Sequence, residues 1–299
     1  MPTLIDFRRR IRSVKNTQQI TRAMKFVAAA KLRRAQENML AARPYARQMA
    51  SLLASAMSRI ENPQHPLLAR RPEQRILVIS LSGDKGLCGA FNTNVLRRTL
   101  EFVRENAAQQ VEVIAVGKKS RDALRKRRLR VIADHAGVFQ RLRFEQGKEI
   151  AARVIELYAD AKVDAVYLIY NEFKSVLAQR LSVHKVLPLS TEEVAAAPAE
   201  AAAGHAAGHA VGTRVDYIYE QPAADILGKL LPRYVETQIW RAMLETWAAF
   251  NAAQMTAMEA ATKNAGELID NLTLHMNKVR QAAITKEIIE VVSGAAAAQ

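Results

Sequence analysis

Apolar residues recur at Leu4, Phe7, Ile11 and Val14, break off at the polar Asn16–Gln19, and resume with a shifted phase at Ile20, Met24 and Val27, continuing through Ala28, Leu32, Ala35 and Met39. Steps of three and four predict one long helix, and the phase shift reads as a stutter in a heptad pattern. Thr3 with Asp6 three positions on has the form of a capping box, which starts the helix near Thr3. Pro44 marks a kink, and the pattern runs on through Met49, Leu52, Leu53 and Met57 until NPQHP at 62–66 stops it. The period then changes. ILVISLS at 76–82, VEVIAVG at 111–117, AVYLIYN at 165–171, RLSVHKVLPL at 180–189 and RVDYIYE at 214–220 are short β-rich runs. Helical patterns at 92–106, 119–129 and 144–160 lie between the first three of these runs, an alternation that predicts a Rossmann-like, mainly parallel sheet in an α/β middle domain. From Pro222 a helical reading extends almost to Ser293, with a bend at Pro232 and a late seam at Ile269, Leu272, Met276, Val279 and Ala283.

Taken as single helices, residues 3–58 and 222–293 are on the order of 80 and 100 Å long, at about 1.5 Å per residue. Each has a seam too thin to make its own core, so the two are expected to wrap around each other. One enters the middle domain and the other leaves it, which makes the pair antiparallel and carries the end of the longer helix beyond its partner. The expected organisation is an N-terminal coiled-coil helix over 1–60, an α/β domain over 61–221 with an Ala/Gly/His-rich insertion at 192–213, and a C-terminal coiled-coil helix over 222–299, helix-rich overall. Met255, Met258, Ile284, Ile288, Val291 and Val292 leave apolar surface for another protein to cover.

Composition supports this picture: 49% of the 299 residues are hydrophobic, ample for a core, while aromatics are only 6%, which suits long helices better than a sandwich of short strands. Cys88 is the single cysteine, which excludes an intrachain disulfide and a cysteine metal cluster and makes a reducing cytoplasm the expectation. No run reaches the roughly 18 apolar residues of a membrane span, and MPTLIDF leads straight into cations. The charge is +15, and residues 8–36 hold ten cations and no carboxylate. Such a stretch belongs with an anionic partner: nucleic acid, a membrane surface or an acidic protein.

The candidate chemical motifs are weak. AVGKKS at 115–120 lacks the first Gly and the hydroxyl residue of a P-loop, since Glu112 and Lys119 occupy those places, and reads as a strand-to-helix turn. SGDKGLCGAFN at 82–92 spaces its glycines GxxGxxG rather than GxGxxG; it is either a docking loop, with Lys85 and Leu87 as contacts, or a tight connector needing positive backbone angles. Cys88 reads as a small buried residue, His205 and His209 as part of the low-complexity insertion, and LRKRRLR at 124–130 as a solvated helix end or an anionic-surface contact. No nucleophile–base pair, HExxH or acid–base carboxylate pair stands out, which argues against an enzyme. The rivals are a basic coiled-coil nucleic-acid-binding protein and an enzyme built on the α/β domain. Against the first, only Phe7 and Phe26 lie near the cationic stretch to stack on bases.

IRSVKNTQQITRAMKFVAAAKLRRAQ at the start, MEAATKNAGELIDNLTLHMNKVRQAAITKEIIEVVSGAAA at the end, SGDKGLCGAFN and the RPYA of 43–46 together resemble the gamma subunits of F-type ATP synthases over nearly the whole chain. The resemblance implies a non-catalytic central-stalk rotor, without cofactor or metal. Its partners would be the alpha and beta subunits of the hexamer, the epsilon subunit and the ring of c subunits, with no nucleic acid. It would be peripheral to the cytoplasmic face of the bacterial inner membrane, coupling proton flow to ATP synthesis. It further implies that the carboxylate-free helix faces an acidic segment of the beta subunits. The motif match transfers hexamer contacts to Met24, Lys25, Lys31 and Arg33, to Gln254 and Met255, and to the tip residues Arg280, Gln281, Thr285 and Glu287. Many relatives carry a basic residue where Gln254 stands, and the redox-regulatory cysteine pair of chloroplast relatives is missing.

Overall fold

The computed structural model describes residues 3–57, 65–189 and 223–297. The expected insertion at 192–213, with His205 and His209, and the expected strand at 214–220 lie outside the described residues. The elements run α1 (Leu4–Met57), β1 (Arg75–Leu81), α2 (Phe91–Glu105), β2 (Gln110–Val116), α3 (Lys118–Lys126), β3 (Val131–His135), α4 (Phe144–Ala159), β4 (Ala165–Phe173), β5 (Gln179–Leu187) and α5 (Ala223–Ala297), with short 3-10 turns at Pro66–Leu68 and Val138–Gln140. Pro44 and Pro232 both lie inside helices that continue past them. The chain forms two units, one of residues 31–253 and one made of 1–30 with 254–299.

In the first unit a five-stranded sheet has the order β3-β2-β1-β4-β5. β1 pairs in parallel with β2 and β4, β2 with β3 in parallel, and β5 returns antiparallel to β4. β1 is buried along almost its whole length because both sheet faces are covered. Leu77, Ile79 and Leu81 meet α4 and the sheet-facing residues of α1 and α5, among them Leu53, Leu231 and Val235. Ile76 and Val78 point the other way, toward Val95 and Phe102 of α2 and Leu124 of α3. This period-2 division of one apolar run is what a central parallel strand requires. β3 was not anticipated: every residue of VIADH is only half-buried, an edge strand without the apolar run that marks β1.

In the second unit the two helices lie antiparallel. Thr21 meets Thr262 while Lys25, one turn later on α1, meets Glu259, one turn earlier on α5. The helix starts as a capping box: the Thr3 N–H and hydroxyl donate to Asp6 Oδ2 at 2.9 and 2.8 Å, and the Asp6 N–H returns to Thr3 Oγ1. The hydrogen bonds from Thr3 hold the Asp6 carboxyl below its ordinary range, helped by Arg10 and Arg9.

The expected stutter is absent. Within this unit the inward positions of α1 are Leu4, Phe7, Ile11, Val14, Gln18, Thr21, Lys25 and Ala28, an unbroken alternation of three and four with Met24 half-buried beside it. The seam passes through polar residues, and Ile20, 60% exposed, faces away from it. Ile269, Leu272, Met276, Val279 and Ala283 are half-buried on α5, as the heptad pattern predicts.

Candidate functional site

A polar layer interrupts the helix pair. The Thr262 hydroxyl lies 2.8 Å from Thr21 Oγ1 and 2.7 Å from the Met258 carbonyl, with one proton to give to either, Gln18 Nε2 donates to the Thr262 carbonyl at 3.4 Å, and Lys25 Nζ pairs with Glu259 at 2.6 Å. Gly266 leaves room for Gln18, whose Nε2 would stand 3.1 Å from a Cβ at that position. Polar groups at seam positions weaken a coil slightly but fix its register, because a slip leaves them without partners. Neither Gln18 nor Thr21 was singled out from sequence, although continuing the Leu4–Phe7–Ile11–Val14 spacing by four and three lands on both.

The outward face of the same α1 segment is cationic and apolar together. Arg8, Arg9, Arg10, Arg12, Lys15 and Arg22 are exposed, and so are Ile5, Ile20, Phe26 and Val27. On α5, Met258 is buried in the seam, contrary to its expected outward position, and Met255 and Gln254 are half-buried. From Ile284 to Ser293 every residue is exposed, including Ile284, Ile288, Ile289, Val291 and Val292. Extending the antiparallel pairing places Leu4 opposite roughly position 280, so the remainder of α5 has run past its partner. Arg280, Gln281, Thr285 and Glu287 are exposed at that point, with the Thr285 hydroxyl donating back to the Gln281 carbonyl at 3.0 Å. Lys31 and Arg33 lie in the α/β unit, exposed on α1, where Arg33 Nε pairs with Glu37 at 3.1 Å.

The loop after β1 is the tight connector with positive backbone angles, at Leu87 and Gly89. Gly83 has no room for a side chain, because a Cβ would stand 2.6 Å from the Phe250 ring of α5, and its N–H donates to Asn92 Oδ1 at 2.8 Å. Asn92 Nδ2 in turn donates to the Lys85 carbonyl and to Cys88 Sγ. Cys88 is buried, and burial pushes its thiol up, so it is an inert packing residue. Lys85 and Leu87 are turned outward instead. Leu87 is 63% exposed and held at φ 61, a backbone region that an L residue enters at a cost.

In a sheet of this topology, ligands bind beyond the carboxyl ends of the strands where the order reverses. Here the order reverses between β1 and β4, whereas on the other side of β1 the loops after β1, β2 and β3 are tied to one another. Asp84 is buried and accepts the N–H groups of Lys118 and Gly137 on Oδ1, at 2.9 and 2.8 Å, and that of Phe139 on Oδ2 at 3.0 Å. Ser82 Oγ accepts the Ser120 N–H at 2.7 Å, and Ser80, Ser120 and Thr99 share hydroxyl bonds of 2.9 and 3.0 Å. The donors at the start of α3, where a phosphate would sit, are therefore occupied, those of Lys118 and Ser120 by side chains and that of Lys119 by the Gly83 carbonyl. Gly117, the GK glycine of AVGKKS, has φ 95 and passes Ser82 so closely that a Cβ would lie 2.1 Å from its carbonyl oxygen. It makes a strand-to-helix turn. The LRKRRLR cluster is a helix end: Leu124 is buried, Arg125 pairs with Asp134 at 2.6 Å and Arg130 with Glu112 at 3.0 Å. Among the described residues no group of His, Cys, Asp and Glu is placed to hold a metal, and no helix is long and apolar enough to cross a membrane.

Known proteins are similar to this chain over most or all of its length. A family profile described as ATP synthase matches residues 3–298. The chain is 51% identical to the ATP synthase gamma chain of Solibacter usitatus over 303 residues, covering 100% of both chains, and 46% identical to that of Desulforudis audaxviator, covering 99% of each. Among solved structures it is similar in fold to a chain of the Euglena gracilis mitochondrial ATP synthase, with TM-score 0.65 and 21% identity over 98% of this chain and 94% of that one. A chain of the Tetrahymena thermophila central stalk and c-ring matches with TM-score 0.58 and 23% identity, over 81% of this chain and 99% of that one.

Proposed function

This chain belongs to the ATP synthase gamma family, and we propose from that premise that it is the rotor shaft linking a proton-driven c-ring to an alpha–beta hexamer. In this reading the paired helices of the 1–30 and 254–299 unit turn inside the hexamer, while the α/β unit, through Lys85 and Leu87, contacts the epsilon subunit and the c-ring. The chain is, in this reading, a mechanical subunit without an active site of its own. It works at the cytoplasmic face of the bacterial inner membrane, held there by its complex.

The mechanism is a coupling of binding equilibria. A shaft that touches each surrounding subunit differently at a given angle assigns the catalytic sites different affinities, and rotating it exchanges those assignments. The observation that carries this reading is the outward face of α1, where exposed cations stand among the exposed Ile20, Phe26 and Val27. Exposed charges attract over about 10 Å without locking into bidentate geometry, which suits a surface that must slide past an acidic partner. Met24, Lys25, Lys31, Arg33, Gln254 and Met255 form the bearing in this account, and Arg280, Gln281, Thr285 and Glu287 the tip contacts.

The test is charge reversal in membrane vesicles carrying the whole complex. Lys25→Glu or Arg33→Glu is expected to lower proton pumping per ATP hydrolysed while the complex still assembles. Lys25 also pairs with Glu259, so the exchange Lys25→Glu with Glu259→Lys restores the internal bridge. Persisting loss of coupling in the exchange variant assigns the effect to the partner, whereas full coupling in Lys25→Glu and Arg33→Glu alike rules out the bearing.

A further inference from the structure

A cavity of about 440 Å³ lies inside the α/β unit, between α1, α5, the start of α4 and the end of β4, and the rotor role leaves it without a purpose. Its size falls within the roughly 300–1,000 Å³ of small-molecule sites. One wall is aromatic: Phe144 and Trp240 meet edge to face with ring centres 5.7 Å apart, and Tyr45 also lines the cavity. The polar lining is unbalanced, with the cations Arg43, Arg47, Lys174 and Arg241 against the carboxylates Glu172 and Glu245.

Glu245 is the unusual member. Its side chain is 7% exposed; Oε1 accepts from Arg241 Nε at 2.8 Å, and Oε2 is buried with no hydrogen-bond partner. Arg241 keeps 47% of its side chain exposed. A sealed carboxylate therefore depends on one ion pair whose cation remains open to an incoming group. The charged groups around the cavity are Arg241 on the same helix, Arg43 and Arg47 on α1, and Glu172 on β4, itself paired with Lys174 at 2.6 Å. Burial pushes the Glu245 carboxyl up and Glu172 adds to the rise, while Arg241 and Arg43 pull it down.

We propose that this cavity binds an aromatic anion, a flat ring bearing a phosphate or carboxylate, with the ring against Phe144 and Trp240 and the anion on Arg43 and Arg241. Rings of this kind gain from edge and face contacts with aromatic walls, and guanidinium groups bind both anion types bidentately. An anion that draws on Arg241 takes away the one hydrogen-bond partner that Glu245 has among the described residues. A buried carboxylate left alone is neutralised by a proton from solvent. The bound state thus holds more protons than the free one, and by linkage affinity rises as pH falls.

Isothermal titration of the full chain with ADP and with 2-naphthoate, at pH 8 and pH 6, tests this. Saturable 1:1 binding of either probe is expected, with adenosine and inorganic phosphate each at least about tenfold weaker because each supplies half of the ligand. ADP binding without naphthoate binding identifies a nucleotide site; binding of both identifies a general aromatic-anion site. Arg43→Gln and, independently, Trp240→Leu should each weaken binding at least about tenfold. Glu245→Gln should keep binding and lose the gain on acidification; since ADP itself protonates in this range, the readout is the difference between wild type and E245Q. Absence of saturable binding at millimolar probe overturns the site, as does binding unchanged in both Arg43→Gln and Trp240→Leu. An identical pH dependence in wild type and E245Q overturns the proton linkage.

Discussion

Asp84 is the residue whose removal tests the α/β unit most sharply. Its carboxylate is the acceptor for three backbone N–H groups that come from two separate loops, those of Lys118, Gly137 and Phe139. Hydrogen bonds to a charged group contribute about 1.5–3 kcal/mol each, but water entering the vacated space would satisfy part of what is lost. Asp84→Ala is therefore expected to cost about 3–5 kcal/mol. Asp84→Asn keeps one acceptor oxygen, enough for Lys118 and Gly137, which share Oδ1, and loses the bond from Phe139. Its expected cost is about 1–2 kcal/mol. The two tryptophans of the chain, Trp240 and Trp247, both belong to this unit, so their fluorescence in urea reports its unfolding. With a slope of about 2–3 kcal/mol/M, the alanine variant should lower the urea midpoint by about 1–2 M. A loss below about 1 kcal/mol in Asp84→Ala, or an asparagine variant as damaged as the alanine one, would refute the assignment of these three bonds.

Gly117→Ala, which would set a Cβ 2.1 Å from the Ser82 carbonyl oxygen at φ 95, should destabilise the unit by at least about 3 kcal/mol and be visible as a lowered urea midpoint. Asp164, buried and bonded to Arg75 at 2.8 Å, has its carboxyl held below the ordinary range first by that bond. Because the folded value is depressed, its stabilisation is present above the unfolded pKa near 4 and is lost as pH falls through the lowered value. The gap between wild type and Asp164→Asn, about 2 kcal/mol at pH 7, should stay constant down to about pH 5 and close on further acidification; a gap independent of pH would contradict this.

The helices and the central strands were legible because their periods are strong. The runs ending in Leu81 and Val116 alternate between two buried faces, and Thr3 with Asp6 announces its cap. The helix seam was misread at the one place where it turns polar. Ile20 drew the pattern by its hydrophobicity, yet Gln18 and Thr21 occupy the inward positions, since hydroxyl and amide partners on α5 satisfy them there. That compensation comes from the other helix, more than 200 positions away in the chain, and no local window contains it. Met258, expected outward, is instead buried. β3 escaped notice because a half-buried edge strand carries little apolar periodicity. The structural role of Asp84 depends on loops that only the fold brings together, while the outward Lys85 and Leu87 lay in a loop whose glycines already marked it.

The central claim is that this chain turns. Leu177, 88% exposed in the β4–β5 hairpin, is a site for a single label as Leu177→Cys, because the native Cys88 is buried with its thiol pushed up and will not compete. With the hexamer fixed to a surface and a rod attached at position 177, addition of ATP should drive continuous rotation in one direction. Steady hydrolysis by the same immobilised complexes with the rod showing only undirected motion would contradict the account.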